Sequence, residues 1–157
     1  MTTANDRQES RWRWAWDSLA LAVVIATIGP LELYVARLGG AYDPVFADWL
    51  VLPWIPSGIA VAALLLRGVS RWPGVFVGEF AYTAIVGGAP PVVMLGATVG
   101  TLGALATYRL LRSWRFNPSI ERWRDPPLLW AAAAIGGLCI SGAYAAGFLL
   151  TAWLDPA

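Results

Sequence analysis

The chain has 157 residues, of which 58% are hydrophobic and 13% charged, and its formal net charge is +1. This composition is far from that of a soluble domain, and so small a net charge leaves no broad basic surface for nucleic acid. The absence of histidine excludes histidine-ligated haem, most zinc and copper sites, and Ser-His-Asp or Cys-His catalytic arrangements. We therefore predict an integral membrane protein that is not an enzyme and binds no metal or cofactor.

Five apolar segments are candidates for membrane-spanning helices, since about 20 residues are needed to cross a hydrocarbon core roughly 30 Å thick. In chain order, the predicted spans are residues 16–38, 49–66, 72–86, 92–111 and 128–154. Residues 1–15 are predicted to be a cytoplasmic tail, and residues 16–157 a single transmembrane domain. The predicted fold is therefore an all-α polytopic membrane helix bundle of about five transmembrane helices within a lipid bilayer.

The arginines predict how the chain is oriented. Every basic residue is an arginine, and ten of the eleven fall on one side once the spans are drawn. They precede the first span, separate the second from the third, and separate the fourth from the fifth. Short cytoplasmic loops collect arginine because it resists translocation. The pattern predicts an integral membrane protein with its N-terminus cytoplasmic and its C-terminus on the opposite side of the membrane.

Small residues recur at intervals of four in the third and fourth spans. The pairs are Gly74 with Gly78 and Gly96 with Gly100. Because helices in a bilayer associate through close contact at small residues, we predict that these glycines pack helices within one bundle. A face for a homo-oligomer is the alternative.

Two acids, Glu32 and Glu79, lie within predicted spans, where charge is costly and often marks a site. At about 1.5 Å per residue, Glu32 lies about 9 Å and Glu79 about 13 Å inside the outer ends of their helices. Trp54 and Pro56 fall about 8–10 Å deep on the same side. Glu32 and the prolines also have purely structural interpretations. The Glu32 side chain would reach the outer interface, and Pro53 and Pro56 would only kink the second helix. Asp17 is expected at a helix N-terminus, where the backbone dipole favours it.

These depths suggest a ligand site between the helices. The candidate ligand-binding residues are Glu32, Trp54, Pro56, Ser57, Glu79 and Tyr82. Tyr82 is included because it lies one turn further out than Glu79 and is expected to line the same face. The predicted ligand is a small, apolar or aromatic molecule.

One segment carries a family resemblance. Residues 54–78 read WIPSGIAVAALLLRGVSRWPGVFVG. This resembles the membrane-associated sensor domain family of the MASE type, which has a proline-bearing helix start, a Leu-Leu-Leu-x-Gly exit and an Arg-x-Trp-Pro-Gly-x-x-x-Gly opening of the next helix. Ile55 stands where the family usually has its first proline, and Ser57 replaces threonine. The resemblance implies a bacterial sensory domain of the cytoplasmic (inner) membrane, which would place the C-terminus in the periplasm. Family members resemble an eight-span module followed by a cytoplasmic output domain, so this chain would be the N-terminal five-span part of such a module or a stand-alone protein that lost its output.

The leading functional hypothesis is a sensory or signalling membrane domain that binds a small ligand between its helices and transmits a helix shift. The alternative from another class is a non-catalytic accessory subunit of a larger membrane complex, held by a partner membrane protein. A transporter component, with Glu79 as the proton or substrate site, is a third. Five spans without an inverted repeat argue against the transporter.

Overall fold

The computed structural model describes residues 4–38, 55–86 and 89–154, and all of their regular structure is helical. The elements are α1 Ala4–Leu38, α2 Ile55–Arg67, a 3₁₀ turn Val69–Arg71, α3 Trp72–Ile85, α4 Pro90–Ser113 and α5 Asp125–Leu154. The prediction of an all-α membrane helix bundle is confirmed for the described residues. The predicted second span begins at residue 49, and residues 49–54 lie outside the described part of the chain.

Proline and glycine set the helix boundaries. Pro73 lies in the first turn of α3 and Pro90 in the first turn of α4. Proline suits this place because its fixed φ fits the helix and its missing N–H would have no partner there. α2 ends before Gly68, whose φ of +91° lies in the left-handed region that glycine reaches without steric cost. The break between α2 and α3 is therefore encoded locally.

α1 is longer than the first predicted span. It begins at Ala4, inside the segment that the sequence predicts to be a polar tail. Asp17 consequently lies well inside α1 and not at its N-terminus. The dipole interpretation of Asp17 is therefore wrong, and the carboxylate needs another partner.

Three of the described helices are long and apolar enough to cross a membrane: residues Trp12–Glu32 of α1, Pro90–Ser113 and Asp125–Gly147 of α5. α2 has 13 residues and α3 has 14. At 1.5 Å per residue α3 and the described part of α2 each extend about 20 Å, which is less than the hydrocarbon thickness. The count of five spans therefore stays a prediction.

Successive helices run in alternating directions. α1 and α3 are parallel, because Gly74 lies against Ser18 and Gly78 against Ile25. α2 is antiparallel to α1, because the end of α2 meets Asp17 and its start meets Glu32. α4 and α5 are antiparallel, with Gly103 against Ile140 and Thr107 against Gly136. This alternation brings the arginine-bearing helix ends to one end of the bundle.

The core lies between α1, α2, α3 and α4. α1 packs mainly against α3 and α3 against α4, while α2 contacts both α1 and α4. The buried cluster at the centre draws on all four helices: Ile25, Ala60, Leu64, Val75 and Ala104. α5 packs against α4 on the outside of this group. A side chain that points inward from α3 therefore faces α1 or α4.

Candidate functional site

Glu79 is an acid buried within the helix bundle. It lies in α3 with a relative exposure of 4%, and its carboxyl group faces Gly100 of α4. A Cβ atom added at Gly100 would lie 2.9 Å from Cδ and 3.1 Å from Oε2 of Glu79. The carboxyl group therefore occupies the space that a side chain at position 100 would need.

The two threonine hydroxyl groups nearest in sequence to this contact are bonded to the backbone. Thr83 Oγ1 donates to the backbone oxygen of Glu79 at 2.8 Å, and Thr101 Oγ1 donates to the backbone oxygen of Ala97 at 2.7 Å. A hydroxyl group has one hydrogen to donate. Neither threonine therefore donates to the Glu79 carboxyl group, which keeps acceptor capacity for another donor.

Tyr82 lies one turn after Glu79 but contacts a different helix. Its ring packs on Gly29 of α1, where an added Cβ atom would come within 2.5 Å of Tyr82 Cδ2. Because α3 lies between α1 and α4, it presents Tyr82 to one neighbour and Glu79 to the other. The two candidate residues lie one turn apart on α3, and these contacts place Tyr82 against α1 and Glu79 against α4.

Glu32 meets the start of α2. Its Oε2 atom accepts a hydrogen bond from the backbone N–H of Ile55 at 3.3 Å. The first N–H groups of a helix lack partners within the helix, and a negative charge is favoured there. Pro56, which is buried, and Ser57, which is half-buried, follow directly. Trp54 lies outside the described residues.

These contacts form a continuous chain across four helices. Gly100 meets Glu79, Tyr82 follows one turn later and meets Gly29, and Glu32, one turn beyond Gly29, meets Ile55. We call this set the acid layer: residues 29–32, 55–57, 79–82 and Gly100. It places Glu32 against the backbone N–H of Ile55, which directly precedes Pro56 and Ser57, and it places Glu79 and Tyr82 one turn apart on α3.

The glycines of the small-residue pairs lie in helix contacts. A Cβ atom added at Gly74 would lie 2.5 Å from the backbone oxygen of Ser18, and one added at Gly78 would lie 2.8 Å from Cβ of Ile25. Gly96 is buried within α4. The backbone of α3 therefore lies close to the backbone of α1, with no room for a larger side chain at Gly74.

A second polar cluster lies at the arginine-bearing end, and the sequence reasoning missed it. Asp17 Oδ2 accepts from Arg67 Nη1 at 3.2 Å and from Arg71 Nη2 at 3.0 Å. Trp14 Nε1 donates to the backbone oxygen of Ser70 at 3.1 Å. The sequence contained the information needed to predict this cluster, because Asp17 and both arginines lie at the ends of consecutive predicted spans on the same membrane surface.

This cluster opens onto a cleft of about 190 Å³, which we call the inner cleft. It is lined by Asp17, Ala20, Leu21, Ala63, Arg67 and Arg71. One part of its wall is charged and the other is apolar. Within the described residues, no group of three His, Cys, Asp or Glu side chains could hold a metal ion.

Comparison with known proteins gives one match. The MASE1 family model matches residues 48–155, which is most of the chain. No curated protein and no solved structure matches the chain. The match covers all of α2 to α5, and with them Glu79, Gly100 and both arginines of the inner cleft.

Proposed function

The chain belongs to the MASE1 family of membrane-associated sensory domains, and we propose that its sensory role depends on a small molecule bound between the helices at the acid layer. Membership confirms the resemblance carried by residues 54–78. The family is sensory and not catalytic. A sensory role of this kind requires a ligand, a binding site and a route for the signal through the helices.

The buried carboxyl group of Glu79 is the observation that supports this site. A charged side chain near the bilayer centre costs at least about 2.5 kcal/mol, so such groups usually serve a site or pair with another group. The neighbouring hydroxyl groups of Thr83 and Thr101 are bonded to the backbone. The matching ligand is a small, largely apolar or aromatic molecule with one N–H or O–H group for the carboxylate. To contact Pro56 and Tyr82 as well, the ligand would have to extend from Glu79 past α3 toward α1 and α2, because the Tyr82 ring packs on α1.

The position of α3 supports a route for the signal. A ligand changes a conformational equilibrium only when it binds one packing better than another. α3 is pressed against the backbone of α1 at Gly74, whereas its contact with α4 includes the flexible side chain of Glu79 against Gly100. A ligand at Glu79 would therefore shift α3 relative to α4 and leave the contact with α1 intact. Arg71, which precedes α3 and is bonded to Asp17 of α1, would then move together with α1 relative to the end of α4.

The arginine-bearing end is the proposed output surface, and we place it in the cytoplasm with the N-terminus. The link between α4 and α5 lies at this end and is held by a buried carboxylate. Asp125 accepts from the backbone N–H groups of Arg122 at 3.1 Å and of Asn117 at 3.4 Å. An ordered link of this kind suits contact with an output partner.

Ligand binding is tested by a thermal-stability screen of the purified chain in lipid nanodiscs against small molecules. We expect a small molecule that binds the site to stabilise the wild-type chain by about 2.7 kcal/mol when its concentration is one hundred times its Kd. Glu79→Gln should weaken the affinity for this small molecule by about tenfold or more, because a hydrogen bond to a charged acceptor is lost. Gly100→Ala should weaken it too, because the added methyl group displaces the carboxyl group.

Gly137→Ala is the matched control, because a Cβ atom added there meets nothing within 4 Å. It should bind the small molecule as the wild-type chain does. A small molecule that binds all three variants equally would contradict the site. A stoichiometric partner membrane protein that co-purifies in mild detergent, together with no stabilising small molecule, would favour the accessory-subunit alternative.

A further inference from the structure

The inner cleft carries more positive than negative charge. Two guanidinium groups, those of Arg67 and Arg71, donate to a single oxygen atom of Asp17. One carboxylate balances only one of the two cations. The remaining charge favours an anion, and hydrogen bonds between ionised groups are stronger than those between neutral groups.

Arg71 also has N–H groups without a hydrogen-bond partner in the described structure. They belong to its buried Nε and Nη1 atoms. Its side chain is 14% exposed, whereas that of Arg67 is 64% exposed. A buried donor without a partner is costly. A small rotation of the Arg71 side chain toward the cleft would let an acceptor with several oxygen atoms relieve this cost, and a phosphate group fits the planar guanidinium fork.

The rest of the cleft is apolar and lies near the membrane surface. Ala20, Leu21 and Ala63 form the wall beside the charged groups. Trp16 and Trp72 are exposed close by in the sequence, and tryptophan is enriched at the level of lipid headgroups. A cleft with a cationic mouth and an apolar wall at this level matches a phospholipid, with its phosphate at the arginines and its acyl chain along the wall.

We propose that the inner cleft binds the phosphate group of an anionic phospholipid. The site is distinct from the acid layer and does not depend on the ligand proposed there. It involves no covalent step. A lipid bound in the inner cleft would stabilise the packing of α1, α2 and the start of α3 at the arginine-bearing end.

The test uses the full chain in maltoside micelles, which carry no phosphate, titrated with phosphatidylglycerol and read by native mass spectrometry. We expect the wild-type chain to retain phosphatidylglycerol. Arg67→Gln should weaken retention by about tenfold without unfolding the protein, because this side chain is largely exposed. Arg71→Lys keeps the charge but loses the guanidinium fork, and should weaken retention too. Arg124→Gln, which removes an exposed arginine at the same end, should retain lipid as the wild-type chain does.

Two comparisons identify the source of the phosphate. Diacylglycerol with the same acyl chains should bind more weakly than phosphatidylglycerol, and equal binding would overturn the proposal. If Arg67→Gln and Arg124→Gln lowered retention of phosphatidylglycerol equally, the proposal would also be overturned, because the arginines would then act only as general interfacial charge. If inorganic phosphate stabilises the chain with the same dependence on Arg67, and phosphatidylglycerol adds nothing, the lipid assignment is wrong.

Discussion

Replacing Gly74 with alanine is expected to lower the free energy of unfolding by about 1–3 kcal/mol, the usual cost of overpacking a close contact. The added Cβ atom would lie 2.5 Å from the backbone oxygen and 2.9 Å from Cα of Ser18. These are backbone atoms, so no side-chain rotation relieves the clash and α3 must move away from α1. The measurement is reversible unfolding of the purified chain by a denaturing detergent.

The matched control is again the substitution Gly137→Ala in α5. It adds the same methyl group in a helix, but nothing lies within 4 Å of it. Alanine is favoured over glycine in a helix by about 0.8–1.0 kcal/mol, so this variant should be as stable as the wild-type chain or more so. If the two substitutions have equal effects, the close contact between α1 and α3 is contradicted.

Replacing Asp17 with asparagine is expected to destabilise the chain by about 2 kcal/mol in the absence of lipid, because it leaves a mostly buried guanidinium group without its carboxylate. Arg71 is the partner that matters, since its side chain is 14% exposed. Arg67 is 64% exposed, and exposed ion pairs contribute only about 0–1 kcal/mol. Arg67→Gln should therefore cost much less than Asp17→Asn.

The same unfolding assay measures both variants side by side. The expected order of stability is wild type, then Arg67→Gln, then Asp17→Asn. Equal stability of Asp17→Asn and the wild-type chain would mean that Asp17 does not hold Arg71. In that case the inner cleft would have to be formed by other contacts.

Much of the fold could be predicted because membrane helices are encoded locally. The apolar runs predict the helices, and the third helix begins at Trp72 as expected, because Pro73 favours a helix start at that point. The family could also be identified from residues 54–78, where proline and glycine set the helix ends. The number of spans is harder to predict, because the apolar segment that forms α3 has only 14 residues, fewer than the roughly 20 that a helix needs to cross the hydrocarbon core.

The contacts between helices were harder to predict. Depth along each helix placed Glu32 near Pro56, and the structure puts Glu32 at the N–H group of the residue before Pro56. Depth does not give the rotation of a helix, so it could not show that Glu79 faces α4 while Tyr82 faces α1. The ion pairs of Asp17 were missed because its carboxylate was assigned to a helix N-terminus, whereas α1 begins at Ala4 and Asp17 lies beside Arg67 and Arg71. Helical polar residues before the first apolar run moved Asp17 away from the helix end.

The proposed sidedness of the membrane domain is tested most directly by labelling single cysteines in a Cys139→Ala background. Ala89→Cys probes the link between α3 and α4, whereas Ser70→Cys and Ser119→Cys probe the arginine-bearing end. All three positions are exposed. We expect a membrane-impermeant maleimide to label Ala89→Cys in intact spheroplasts, and to label the other two variants only after permeabilisation. Labelling of Ser70→Cys or Ser119→Cys in intact spheroplasts, to the same extent as Ala89→Cys, would contradict the arrangement.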